Sequence, residues 1–258
     1  MSPINALAQT PIRSPSTALL VTEPWRAAWE YISHKTSARV SKGSTDGHPV
    51  VMFPGLASDS RALGPLRKHC AALGYEPIDW GRGFNTGPQG DTAIWLSDLA
   101  EHTLNLLAGR RQSATLLGWS LGGVYAREIA KLLGPRVRQV ITIGTPFNAD
   151  ADHTNVGWIF RMLSNTPQAF EPTFSARLRQ APAVPTTSIY SRSDGVVAWQ
   201  TCIHHKTTAL TEDVEVSGSH LGMGWNREVL QVVANRLAQR PGAWKPYHPT
   251  RRNRPAQA

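Results

Sequence analysis

The sequence predicts one α/β domain on a mainly parallel sheet, and three observations carry that expectation. Six short apolar runs, at 49–55, 75–80, 114–118, 137–144, 186–190 and 213–216, alternate with longer stretches of helical periodicity. The run Pro49–Gly55 is apolar almost throughout, as a strand covered on both faces is. The run Ala114–Gly118 turns through Gly118-Trp119-Ser120-Leu121-Gly122 into a segment whose Leu121, Val124, Tyr125, Ile129, Leu132 and Leu133 share a helical face, before Gly134-Pro135 stops it.

In chain order, residues 1–22 are polar and rich in Pro and Ser, and are expected to be disordered. The domain is expected over 23–240, with 241–258 a basic tail. Thr22 can cap a helix whose first turn holds Pro24 and whose Trp25, Trp29 and Ile32 fall on one face, packed on the domain surface. After the polar link Ser41–Gly47 and the first strand, Leu56-Ala57-Ser58-Asp59-Ser60 offers free amides and the start of a helix that ends near Leu73-Gly74. Tyr75–Trp80 is a strand that Pro77 places near a sheet edge. The loop Gly81–Pro88 has neither the ending of a P-loop nor GxGxxG spacing, which excludes a nucleotide cradle and leaves a rim of the cleft.

Asp91–Gly109 is an amphipathic helix with Leu96, Leu99 and Leu106 inward, and Val137–Gly144 is the strand after the elbow helix. Residues 147–185 break the alternation and read as a helical cap inserted above the sheet, with Val156, Ile159, Phe160 and Leu163 at helical spacing. Thr186–Tyr190 returns to strand, Ser191–Gly195 turns, and Asp213–Val216 starts the last strand. The final helix begins near Asn226 and buries Val229, Val233 and Leu237.

A chain of 258 residues buries about 75% of its unfolded surface and needs no disulfide staples. Its two cysteines, Cys70 and Cys202, have no metal-like spacing and read as reduced thiols; no metal and no cofactor are expected. No run approaches the roughly 18 apolar residues of a membrane span, and the start lacks a basic region followed by an apolar one, so a cytoplasmic protein is expected. The net charge of +9 is largely a tail: Arg236, Arg240, Lys245, Arg251, Arg252 and Arg254 follow one another with no acid between. No aromatic-interleaved basic stripe accompanies them, so no nucleic-acid partner is expected.

The turn at Ser120 carries the chemistry. A side chain two residues either side of it would collide where strand and helix cross, and glycine at 118 and 122 removes both collisions. Such a turn exposes the hydroxyl at a strand end, with the helix N-terminus and the N–H of Leu121 facing any developing oxyanion. Asp194 and His220 also follow strands, so Ser120, Asp194 and His220 fall, in that order, where open α/β sheets place their sites. The rivals are weaker. His204-His205 is expected on a solvated helical crossover, and Asp213, at the start of a strand, on the opposite end of the sheet from Ser120.

Five segments resemble the α/β-hydrolase superfamily and, within it, bacterial lipase- or esterase-like members: Phe53-Pro-Gly-Leu56, Gly118–Gly123, Ile143-Gly-Thr-Pro146, Tyr190–Val196 and Ser217-Gly-Ser-His220. Together they span about 49–240. Trp80-Gly81, Asn85 and Gly87-Pro88 also look like a loop of such hydrolases. The resemblance implies Ser120 as nucleophile, His220 as general base, Asp194 as orienting acid, and the N–H groups of Leu56 and Leu121 as the oxyanion hole. Two departures stand out: Pro54-Gly55 where many lipases carry His-Gly, and the absence of the two leading strands of full-sized members. A compact sheet of about six mainly parallel strands is therefore expected, with helices on both faces and a small helical cap. The expected activity is hydrolysis of a small-molecule ester with a hydrophobic acyl or alcohol part, lodged near Trp119, Phe147, Ile159, Phe160 and Leu163. The same three residues could serve an acyltransferase or thioesterase, and the fold could also serve as a non-catalytic binding module.

Overall fold

The computed structural model describes residues 12–35, 45–148 and 172–248. Their elements, in order, are α1 (Thr17–Lys35), β1 (Pro49–Phe53), α2 (Gly64–Leu73), β2 (Glu76–Asp79), α3 (Thr92–Leu106), β3 (Ala114–Trp119), α4 (Leu121–Leu133), β4 (Val137–Ile143), α5 (Pro172–Arg179), β5 (Thr186–Tyr190), β6 (Thr211–Glu215) and α6 (Arg227–Leu237). The six strands form one sheet in the order β2-β1-β3-β4-β5-β6, and every neighbouring pair is parallel. Strand β2, with Pro77, is an edge as its sequence requires.

Parity along the strands divides the core in two. In β1, Val51 and Phe53 join Leu96, Leu99, Val124 and Ile129 from α3 and α4 on one face. Val50 and Met52 meet Leu66, Leu73, Val229 and Val233 from α2 and α6 on the other. Register aligns the strand ends: Phe53 lies beside Gly118, Trp119 beside Ile143, and Tyr190 beside Glu215. The loops after β1, β3, β4, β5 and β6 therefore leave the sheet along one edge.

Four sequence expectations are corrected. Helix α1 begins at Thr17, inside the segment expected to be disordered, because Ser16 rather than Thr22 starts it: Leu19 N donates to Ser16 Oγ at 3.3 Å. Its Trp25 and Trp29 do not pack on the domain; they are 79% and 71% exposed, and Ile32 is exposed too. The docked side is that of Glu23, Ala27 and Glu30, because the loops beneath it present backbone N–H groups, for which carboxylates are the matching acceptors. Strand β6 begins at Thr211, so Asp213 lies in mid-strand, opposite Ser188 of β5. His204 is buried rather than solvated, and only a short 3-10 turn, Trp199–Cys202, stands where a helical crossover was expected.

The cap expected over 147–185 falls largely outside the described residues, of which α5 is the helical part. Residues after α6 stay on the domain as far as Tyr247, whose N–H donates to Glu212, while Arg236 donates to Lys245 O at 2.8 Å. Among the described residues no helix is long and apolar enough to cross a membrane. Cys70 and Cys202 are free buried thiols, and burial pushes that of Cys70 up to about 12.

Candidate active site

Ser120 sits between β3 and α4 with φ 53° and ψ −123°, a strained conformation for a residue with a side chain. The glycines around it are required by contact. A Cβ at Gly118 would lie 2.3 Å from Gly122 O, one at Gly122 2.2 Å from Phe53 O, and one at Gly123 2.0 Å from Thr145 Oγ1. Ser120 N donates to Ile143 O at 2.8 Å, which fixes the turn against the end of β4.

Asp194 and His220 come from the loops after two other strands, β5 and β6. His220 Nδ1 pairs with Asp194 Oδ2 at 2.6 Å, both side chains buried. The other oxygen of Asp194 accepts from Val196 N at 2.8 Å and Val197 N at 2.7 Å, so the carboxylate is oriented from both sides. The loops themselves are laced together: Ser191 Oγ donates to Gly218 O at 2.7 Å and Ser193 Oγ to the same oxygen at 3.1 Å.

The imidazole reaches the elbow through shared neighbours. A Cβ at Gly144, the residue after the acceptor of Ser120 N, would lie 3.1 Å from His220 Nδ1. The Trp119 ring, next to Ser120, is 5.7 Å from the imidazole centre. Among the described residues Ser120 Oγ and His220 Nε2 make no hydrogen bond; in substrate-free sites such contacts are often long and tighten on binding. Burial disfavours the charged imidazole. The charge and hydrogen bond of Asp194, with the Glu23 carboxylate behind them, outweigh it and hold His220 above its ordinary value.

Leu56 lies in the turn after β1. A Cβ at Gly55 would be 3.3 Å from Ser120 Cβ, which puts that turn against the elbow. The next residue, Ala57, has φ 53°, and it and Ser120 are the two non-glycine residues at positive φ among those described. Asn85 braces this turn from the glycine-rich loop. Ala57 N donates to its carbonyl at 2.8 Å, its own N–H to Ser58 O at 2.8 Å, and its side-chain amide to Pro54 O at 2.9 Å. Tyr125 of α4 donates to Asn85 Oδ1 at 3.2 Å. The loop read as a rim is thus also a buttress. Among the described residues neither the N–H of Leu56 nor that of Leu121 has a hydrogen-bond partner; Leu121 directly follows Ser120, and Leu56 directly follows Gly55 in the turn against the elbow.

The remaining expected residues divide. Trp119 flanks His220, and its indole N–H has no partner among the described residues. Phe147 is buried with its ring under the Arg127 guanidinium, 3.7 Å away, and against His204. Ile159, Phe160 and Leu163 lie outside the described residues. A cavity of about 600 Å³ runs along β6, lined by His204, Asp213 and Tyr247 among others, and Ser120 does not border it. Among the described residues no cluster of His, Cys, Asp or Glu is placed to hold a metal ion.

One group escaped the sequence altogether. The buried Glu23 accepts backbone N–H bonds from Gly195 at 2.7 Å, His220 at 3.0 Å and Leu221 at 3.1 Å. Glu30, two turns on, accepts from Ser219 N at 2.7 Å. An acid in the interior of a helix carries no local sign of partners that distant.

No protein-family model and no curated protein matches this sequence. Solved structures do. Aspergillus fumigatus lipase B superposes at a TM-score of 0.58 with 18% identity over 80% of this chain; the chain spans only 56% of that lipase. Metagenome-derived lipolytic enzymes described as LipS and LipT match at 0.56 and 16%, over 76% of this chain and 95% of theirs. The thioesterase domain from the curacin biosynthetic pathway matches at 0.53 and 17%, over 76% and 92%. The chain has the α/β-hydrolase fold.

Proposed function

We propose that the protein is a serine hydrolase that cleaves carboxylic esters, of lipase or esterase type, through an acyl-enzyme on Ser120. The observation that carries the reading is the meeting of a strained serine elbow, a buried Asp194–His220 pair and two unpartnered amides at one edge of the sheet. His220 Nε2 takes the Ser120 proton as Oγ bonds to the ester carbon, and the carbonyl electron pair moves onto oxygen. The N–H groups of Leu56 and Leu121 hold that oxyanion. On collapse the C–O bond to the alcohol breaks and the imidazolium gives its proton to the departing oxygen. Water then adds to the acyl-enzyme, giving its proton to Nε2, and the acid leaves as Ser120 regains its own. Asp194 keeps the Nδ1–H tautomer and stabilises the imidazolium. The hydrophobic part of the ester lies against Trp119.

The test is direct. A fluorophosphonate probe labels the wild-type protein at Ser120 and leaves Ser120→Ala unlabelled. Labelling that persists in the variant removes Ser120 from this role. The acid side of the kcat/KM profile is set by His220 above its ordinary value, and activity falls as pH drops through it, because a protonated imidazole cannot accept the serine proton.

A further inference from the structure

We infer that Glu23 is a positioning residue for this site, its buried carboxylate clamping the Asp194 loop to the His220 loop and adding a negative charge beside the imidazole. The inference rests on the ester-hydrolase reading above, in which His220 becomes an imidazolium during the reaction.

The geometry is specific to the two loops. Glu23 Oε1 accepts from Gly195 N at 2.7 Å and from His220 N at 3.0 Å, and Oε2 from Leu221 N at 3.1 Å. Gly195 directly follows Asp194, and Leu221 directly follows His220. Arg26 pairs with Glu23 Oε1 at 2.8 Å and donates to Ser193 O at 2.6 Å, so the residues on both sides of Asp194 are tied to one ion pair on α1. Helix and loop also touch directly, for a Cβ at Gly195 would lie 2.5 Å from Leu19 O. The helix thus spans two loops that the sheet alone delivers from different strands.

The charge matters beside the geometry. The charged groups around His220 are Asp194 from the loop after β5, and Glu23, Arg26 and Glu30 from α1; β3 and β4 bring Trp119 and Gly144, which carry none. Glu23 sits close enough to favour the charged imidazole together with Asp194, whereas Glu30 engages Ser219 N and Asn226 Nδ2. A carboxylate fixed by three backbone donors cannot swing away from the two loops. Its help is greatest when the imidazolium forms, so its loss falls on kcat rather than KM.

The experiment compares E23Q, E23D and E30Q in the full chain. In E23Q the amide cannot accept at both ends, and kcat falls about tenfold or more with KM nearly unchanged. Its kcat/KM acid limb moves to lower pH, as does the titration of the downfield His220 Nδ1–H resonance in proton NMR. E23D keeps the charge, holds the acid limb near that of wild type and regains part of the rate; E30Q leaves the limb where it is. A folded E23Q with wild-type kcat and limb overturns the inference, and so does an equal limb shift in E30Q. If E23Q does not fold, E23D decides: a limb that moves to the ordinary histidine value or below overturns it. The NMR titration needs no turnover, so it reads Glu23 even if probe labelling survives Ser120→Ala and the ester-hydrolase reading fails.

Discussion

Among the described residues, the aspartate–histidine pairs Asp194–His220 and Asp213–His204 differ in what surrounds them. Asp194–His220 closes at 2.6 Å and Asp213–His204 at 2.7 Å, in each case through Nδ1. Behind His220 stands the Glu23 carboxylate, and the imidazole is held above its ordinary value. Against His204 stands the Arg127 guanidinium, whose Nη1 lies 3.0 Å from Nε2; burial, with that cation, lowers His204 despite the bond to Asp213. Since Arg can only donate, Nε2 of His204 is an acceptor already in use. The two pairs therefore differ in which nitrogen is free and in the sign of the nearest extra charge.

The largest expected effect separates the two acids. Asp194→Asn should lower kcat about 10⁴-fold, because the imidazole loses its tautomer and its partner charge together. Asp213→Asn should leave kcat within about threefold of wild type, since its partner is neutral and turned inward. Steady-state kinetics on a chromogenic ester measures both, and a reversed order would make His204 the base. Stability should move differently: Asp213 accepts both His204 N, at 3.0 Å, and Nδ1–H. Losing one acceptor there costs about 1–3 kcal/mol. It should appear as a lower urea midpoint at unchanged slope.

The same contrast shows what a sequence carries. The positions of Ser120, Asp194 and His220 are legible because each is marked by its own neighbourhood: a glycine-flanked elbow, a turn after a strand, a loop after the last strand. The six parallel strands follow from the alternation of apolar runs and helical stretches, and Pro77 marks β2 as an edge. Glu23 is not legible, because its three donors lie 172 to 198 residues away and are backbone groups with no residue signature. The helical spacing of Trp25, Trp29 and Ile32 points to the wrong face, since periodicity marks an apolar stripe but not which side finds hydrogen bonds. His204 reads as solvated for a related reason: the Arg127 that meets it is 77 residues earlier. Asp213 moves from a strand end to mid-strand through a boundary error of two residues.

A smaller effect should appear in the pH dependence of unfolding, with opposite signs at the two pairs. His220, raised in the folded protein, contributes stability that is fully present below the ordinary histidine value and is lost as pH rises through its folded value. His204, lowered, contributes stability that is present above the ordinary value and is lost as pH falls through its folded value. Denaturation series across this range for His220→Gln and His204→Gln, each subtracted from wild type, should therefore slope in opposite directions. Parallel slopes would mean that the surrounding charges do not distinguish the pairs.

The smallest expected effect isolates the cation. Arg127 is buried, its guanidinium lies over Phe147, and burial holds it down at about 10. In Arg127→Met a side chain of similar reach fills the space without the charge, so the low-dielectric surroundings of His204 remain while one of the two influences that lower it disappears. The His204 imidazole should then titrate higher than in wild type, with burial, the larger of the two lowering causes, still acting on it. The His220 resonance serves as the internal control and should not move, since Arg127 is not among the groups that act on it. An unmoved His204 would assign its low value to burial alone. The contrast between the two pairs would then rest on which nitrogen is free, with the charge beside each ring having no part in it.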